Sequence, residues 1–373
     1  MTADHRVHGT GLAWEAPTWP AITADEAAAV IARFPAAGSS PDLQWHSPRP
    51  FSAAALVRTT QGAFVLKRHH RRVRSVAGLG EEQAFIAHLA GAGFPVPQVV
   101  PAADGAGAVA AGEWSYELHR VAPGADLYRD RQSWTPFLSH AHAQAAGAAL
   151  ARLHRAAQGF AAPARRPQPL VASFTILSAA DSLGAAAAYI AARPALAGFL
   201  AERAWRPQLA RLFDALGNGL GGRLVGQPPL WTQNDWHPSN LLWAADGTVA
   251  TAFDFGLADR TCAVHDIATA IERTAIRWLD LGQGDDRIGD AEAARALLAG
   301  YASVLPLRRS DIATIAALLP LVHVEFALSE IDYFSGVAAD PVGASVAWET
   351  YLLGHAEWFR SAPGRAFLDR IDA

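Results

Sequence analysis

Two hydrophobic periods divide the chain. Apolar positions before residue 121 come in short β-rich runs. Those at 54–59 and 63–67 are separated by Thr60, Gln61 and Gly62, a hairpin whose second strand ends on Lys67. Phe85, Ile86 and Leu89 stand at helical spacing in 80–89, with Glu81 and Glu82 in the first turn and Gly91, Gly93, Pro95 and Pro97 after it. A loop rich in glycine and alanine leads to a strand over 114–121, closed by Pro123 and Gly124. From Pro136 the pattern turns helical, predicting helices over 137–158, 176–192, 196–216, 266–280, 291–303, 311–334 and 344–360. One strand-like island, 241–255, interrupts them. Residues 1–43 read as an extension with one short helix, 25–34, behind a Thr23/Glu26 capping box. The pattern is α+β, strands first and helices after.

The island carries the most chemistry. Asp246-Gly247 is the dipeptide of a two-residue type I′ hairpin, which places Asn240 opposite Phe253 and beside Asp254. Neighbouring strands lie about 4.8 Å apart, so an amide oxygen and a carboxylate converge there, suitable oxygen ligation for Mg²⁺. Asp235, five residues before Asn240, falls near the same point. The competing reading is that such residues only cap turns.

Composition narrows the choice. Hydrophobic residues at 51% and charged residues at 18% describe an ordinary globular chain, and a net charge of −4 gives no general attraction to nucleic acid or anionic membrane. A single cysteine, Cys262, excludes an intramolecular disulfide and any cysteine cluster, so a cytoplasmic setting is expected. No basic-then-apolar start and no run of about twenty apolar residues predict export or spanning. Of 31 lysines and arginines only Lys67 is lysine, which makes its survival informative. Leu66 before it excludes the GxxxxGK[ST] phosphate loop.

At NDWHPSN (234–240), FDFG (253–256) and DIATAI (266–271), with Lys67 on an upstream strand and Glu82 on the helix after it, the chain resembles the aminoglycoside phosphotransferase and choline kinase-like family, relatives of the protein kinases. The resemblance implies a two-lobed protein-kinase-like fold, with a small β-rich N-lobe at 44–121 and a larger helical C-lobe at 122–373. It implies an ATP and Mg²⁺-dependent transfer of the γ-phosphoryl group to a hydroxyl of a small molecule. Lys67 then meets the α and β phosphates and pairs with Glu82, Asp235 acts as base, and Asn240 and Asp254 hold Mg²⁺. Backbone groups of Glu117, His119 and Val121 bond adenine, and Asp266 buttresses the catalytic loop. Two departures stand out. Gln233-Asn234 precede Asp235 where the family usually has histidine and glycine. The phosphate-covering loop 47–55 has no glycine and two prolines, leaving Ser52 and neighbouring amides for phosphate. The alternative they raise is a nucleotide-binding pseudokinase without transfer.

Other clusters read more simply. The basic residues of 68–74 are expected in a solvated loop. His140 and His142 point to different faces of a helix and do not form a metal pair. His154 is expected to be structural and His237 to brace the catalytic loop. Glu325, Glu330, Asp332 and Tyr333 are candidates for holding a cationic amino substrate, with 325 and 332 on one helix face. The expected partner is therefore a small hydroxyl-bearing molecule, with no nucleic acid or membrane, acting on a monomer or weak dimer.

Overall fold

The computed structural model describes residues 7–8, 14–171, 173–217 and 219–372. After a short pairing of β1 (Val7–His8) with β2 (Trp14–Glu15), helix α1 (Ala24–Ile31) opens on the expected capping box. The Thr23 hydroxyl accepts from the Glu26 N–H at 3.2 Å, and the Glu26 carboxylate accepts from the Thr23 N–H at 3.3 Å. Ile22, Ala27, Val30, Ile31 and Phe34 then pack with Val57, Phe64, Leu66 and Leu118 in the core of the N-lobe.

That core backs a five-stranded antiparallel sheet made of β3 (Asp42–His46), β4 (Ala53–Thr59), β5 (Gly62–His70), β6 (Ala108–Ala111) and β7 (Trp114–Arg120), in the order β3-β4-β5-β7-β6. The hairpin of β4 and β5 was legible as alternation, but β5 continues three residues past Lys67. Because side chains alternate along a strand, Phe64, Leu66 and Arg68 face α1 while Lys67 faces the opposite lobe. Arg68 is buried, bonding Glu26 at 2.8 Å and the Pro20 carbonyl, and its guanidinium lies 4.3 Å from the Trp114 ring. Arg74 is buried as well, so the basic run is only in part the solvated loop expected: Arg71 and Arg72 are exposed in a turn, while Arg68 lies in the strand and Arg74 in a buried ion pair.

Helix α2 (Val76–Gly91) starts at a Ser75 cap, four residues before the expected boundary. Glu81 and Glu82 thereby fall in its second turn. Leu79, Glu82, Ile86 and Leu89 share the buried face, which puts Glu82 inside and leaves Glu81 at the surface.

In the C-lobe, α3 (His140–Ala156) lies against the helix Ala291–Ala302 at a reciprocal glycine contact. A Cβ on Gly147 would come within 1.9 Å of the Leu297 carbonyl oxygen, and one on Gly300 within 1.9 Å of that of Gln144. The long helices expected at 196–216 and 311–334 are each broken, into Pro194–Leu200 with Trp205–Leu216 and Arg309–Leu318 with Val324–Tyr333; Pro320 lies in the second break. π-Helical turns cover Phe334–Ala338 and Ala347–Gly354. Among the described residues no single helix is long and apolar enough to cross a membrane.

Two short antiparallel pairs frame the loop that carries Asp235. β8 (Pro229–Thr232) pairs with β11 (Asp259–Cys262), and β9 (Leu241–Trp243) pairs with β10 (Val249–Ala252). The turn between β9 and β10 is not the two-residue type expected. The Gly247 N–H donates to Ala244 O and the Ala244 N–H to Thr248 O, Gly247 alone of the pair has positive φ, and Asp246 accepts from both the N–H and the hydroxyl of Thr248. A bulge between Val249 and Thr251 offsets the extra residue. The expected register returns, and the Phe253 N–H donates to Asn240 O at 3.0 Å.

Candidate active site

The loop that carries Asp235 is held from behind by Asp266 on the helix Ala263–Thr274. Its carboxylate accepts from the Gln233 N–H at 3.1 Å, the Asn234 N–H at 2.8 Å and His154 Nε2 at 2.9 Å. The departure at Gln233-Asn234 is absorbed by this geometry. Asn234 sits at φ 60, a left-handed conformation that asparagine tolerates better than most residues, and its amide bonds Thr232 and the Leu257 carbonyl. Gln233 receives the Asp235 N–H at 2.7 Å and donates to the Asp254 carbonyl at 2.7 Å, tying this loop to FDFG.

Both Asp235 carboxylate oxygens are occupied. Oδ1 accepts from Arg273 Nη1 at 2.5 Å, with His237 Nε2 at 3.5 Å, and Oδ2 accepts from Asn240 Nδ2 at 2.8 Å. Burial works to raise its pKa, but Arg273, His237 and the Asn240 bond outweigh it and hold the acid below its ordinary value. Arg273 is itself buried, 4.8 Å over the Phe326 ring and 5.4 Å from the Trp134 ring. Nothing in the sequence pattern singled it out, since it follows DIATAI on an ordinary helix.

Asp254 also has positive φ, 59, a backbone strain that turns its exposed carboxylate toward Lys67, with Nζ to Oδ1 at 3.9 Å. Burial lowers the Lys67 pKa, yet Asp254, Glu117 and Glu82 overcome it and leave the ammonium above its usual value. The amide oxygen of Asn240 and the carboxylate of Asp254 line the same cavity. Two oxygen donors suit a divalent ion that takes its remaining ligands from phosphate and water, and among the described residues no cluster of three or more acids, histidines or cysteines offers a fuller cage.

The Lys67–Glu82 pair implied by the resemblance is not made. Glu82 Oε1 instead accepts from Arg74 Nε at 2.8 Å and Arg165 Nη2 at 2.9 Å. Two planar guanidinium groups reach it first, each anchored on the Gly256 carbonyl of FDFG, and Arg165 also bonds the carbonyls of Gly78 and Ala258. These arginines came from a basic run and a proline-rich loop, so only their three-dimensional neighbours reveal them.

The three residues expected to bond adenine do not all line the cavity. Glu117 lines the cavity, but its backbone belongs to a strand paired on both sides. Its side chain bonds His69 at 3.3 Å and His119 and Gln83 at 3.0 Å, and His119, His69 and Lys67 overcome burial to hold the acid well below its usual range. His119 is buried in the sheet and Val121 is turned outward at 48% exposure; neither lines the cavity. Ser52 does line it, from the loop before β4. The neighbouring Arg49 crosses to the C-lobe, bonding Ser133 at 2.8 Å and the Arg131 carbonyl at 3.1 Å.

Of the four candidate substrate residues, Glu330 and Tyr333 reach the cavity while Glu325 and Asp332 do not. Phe326, Glu330 and Tyr333 share the cleft face of the helix Val324–Tyr333. Glu325 and Asp332 share a different face. There Glu325 accepts from Ser173, Thr175 and the Ile176 N–H, and Asp332 lies near Arg193 and the Leu196 backbone. Burial pushes Glu330 up to about 8.

Residues 49–307, more than half the chain, match the family model described as the phosphotransferase enzyme family. A homoserine kinase of Caulobacter sp. is 29% identical over 300 residues, 78% of this chain and 80% of that protein. One from Acidiphilium cryptum is 25% identical over 290 residues, 74% and 76% of the two chains. Among solved structures, an amicoumacin kinase in complex with AMP-PNP, Ca²⁺ and amicoumacin superposes with a TM-score of 0.55 at 16% identity, covering 89% of this chain and 87% of that one. An aminoglycoside phosphotransferase from Alicyclobacillus acidocaldarius gives 0.51 at 19% identity, covering 92% and 94%. The two-lobed kinase-like fold, the clustered Asp235, Asn240, Asp254 and Lys67, and the family match lead to one conclusion: the chain belongs to the phosphotransferase enzyme family and is a kinase with a small-molecule hydroxyl as acceptor.

Proposed function

We propose that the protein moves the γ-phosphoryl group of ATP, with Mg²⁺, to the hydroxyl of a small amine-bearing acceptor of the same class as homoserine. The observation that carries this reading is Glu330. Glu330 is largely buried and lines the wall of the cavity that holds Asp235, its carboxylate making no hydrogen bond to another described residue while Arg273 acts on it as a nearby cation. A largely buried acid that lines the cavity is stabilised by a cation bound against it, and an acceptor ammonium would supply one. On that side the cavity is lined by Trp134, Trp278, Phe326 and Tyr351, largely apolar walls that suit a small molecule. Homoserine carries an ammonium and a primary hydroxyl, and relatives bearing that substrate's name cover three quarters of the chain.

Asn240 and Asp254 would hold the Mg²⁺, which supplies positive charge to phosphate oxygens when bound. Lys67 faces the same space as a compact cation. Asp235, kept ionised by Arg273, orients the acceptor hydroxyl and receives its proton as the oxygen attacks phosphorus. Mass-spectrometric screening with Mg·ATP over homoserine, short amino alcohols, amine-free alcohols and aminoglycosides tests the reading. Phosphorylation concentrated on the short amine-bearing compounds is expected, and preference for amine-free alcohols or aminoglycosides overturns it.

A further inference from the structure

Beside Trp134 and Trp278, the walls around Glu330 draw on both ends of the chain, outside the family match at 49–307. One wall runs from Phe326 to His355 and includes the two π-helical turns, a distortion often found at functional sites. Facing it at the mouth are Glu15, Ala16 and Thr18, which line the same cavity as Asp235 and Glu330. This segment is fastened to both lobes by the next residue. Trp19 Nε1 donates to the Tyr333 hydroxyl at 3.0 Å in the C-lobe. In the N-lobe the same indole stacks on His70, with centroids 5.1 Å apart and planes 12° apart, and meets the edge of Trp114 at 5.4 Å. Pro20 is then tied down by the buried Arg68.

We propose that Glu15–Trp19 is the closing wall of the acceptor site: a strap, clasped by Trp19 on Tyr333, that selects the acceptor and keeps water from the γ-phosphoryl group. The acceptor-selecting half rests on the reading of Glu330 as the acceptor's partner; the water-excluding half does not. Glu15 adds a second acid at the mouth, which favours cations entering toward Glu330 and disfavours anions. Water exclusion matters because water is the acceptor's competitor. In that side reaction its oxygen bonds the γ-phosphorus, the bond to the β–γ bridging oxygen breaks to release ADP and phosphate, and the proton passes to solvent.

The test compares wild type with Trp19→Phe, Tyr333→Phe and Trp19→Ala, first with Mg·ATP and no acceptor. Either phenylalanine variant keeps a ring in place and removes one side of the clasp, so ADP release is expected to rise about fivefold, the factor one neutral hydrogen bond is worth. Trp19→Ala also loses the stacking and is expected to raise it about tenfold or more. The KM for ATP should not move. With an acceptor from the amine panel, its KM should rise by the same factors. Unchanged ADP release in all three variants overturns the strap, as does an ATP KM that rises in parallel, which marks general damage to the cleft. If no amine acceptor is phosphorylated but ADP release responds as expected, the amine reading fails and the strap stands.

Discussion

Glu330 and Lys67 are a mismatched pair of ionisable groups on opposite sides of one cleft, and each makes a separate prediction. Glu330 is held up at about 8 by burial, so near neutrality the free enzyme carries it protonated. An ammonium acceptor binds the ionised form and must displace that proton, so its apparent KM should fall by up to about tenfold per pH unit between pH 6 and 8 and flatten above. In Glu330→Gln that slope should disappear from the KM profile. The same raised pKa has a stability sign. Protonation of the folded state favours folding below the ordinary value of 4.5, and this contribution is lost as pH rises through about 8, so Glu330→Gln should melt higher than wild type at pH 8 and converge with it near pH 4.5. Lys67 stands 3.9 Å from Asp254 beneath carboxylates that arginine's wide fork would meet sideways. Lys67→Arg should keep the fold by circular dichroism while kcat falls about 100-fold, the cost of misplacing one charge by about an ångström. Full activity in that variant would refute the role given to the lysine.

Elements, by contrast, are placed by contacts that the pattern of one segment does not contain. The crossing of α3 with Ala291–Ala302 depends on Gly147 and Gly300, each of which faces a carbonyl of the other helix. Gly147→Ala gains helix propensity of about 1 kcal/mol, yet its methyl has nowhere to go but into backbone, and overpacking costs about 1–3 kcal/mol. A lowered urea midpoint with unchanged m is the expected result; a rise would show that the helices separate freely. The sequence showed α3 as an alanine-rich helix and gave no sign that its glycine was the contact point. Alternation placed the β4–β5 hairpin, and the Asp246-Gly247 hairpin brought Asn240 opposite Phe253 although the turn itself was misread, because a second irregularity restored the register. Strands β3, β6, β8 and β11 were not expected; β6, Ala108–Ala111, is a short strand of small side chains that leaves no hydrophobic period. Glu325 and Asp332 do share a face, as spacing required, but spacing could not tell that this face turns from the cleft.

At the scale of the whole molecule, the parts legible in advance were local in sequence. Asp235, Asn240 and Asp254 lie within twenty residues of one another, so a hairpin is enough to assemble them. Glu82's partners, Arg74 and Arg165, and the cavity walls at 15–16, 18, 134, 273 and 326–355 meet only when the chain closes on itself. The single lysine acquires another meaning here. A molecule of 373 residues with one side-chain amine offers an acylating reagent one target of that kind, and the target lies inside the cleft. Because its ammonium is stabilised above the usual value, the reaction should be slow near pH 7 and quicken as pH approaches 10. Peptide mass mapping should then find acylated Lys67, with nucleotide shielding it. Modification that proceeds at the same rate with saturating Mg·ATP would place the nucleotide elsewhere. One amine thus makes the enzyme its own occupancy gauge, without any engineered label.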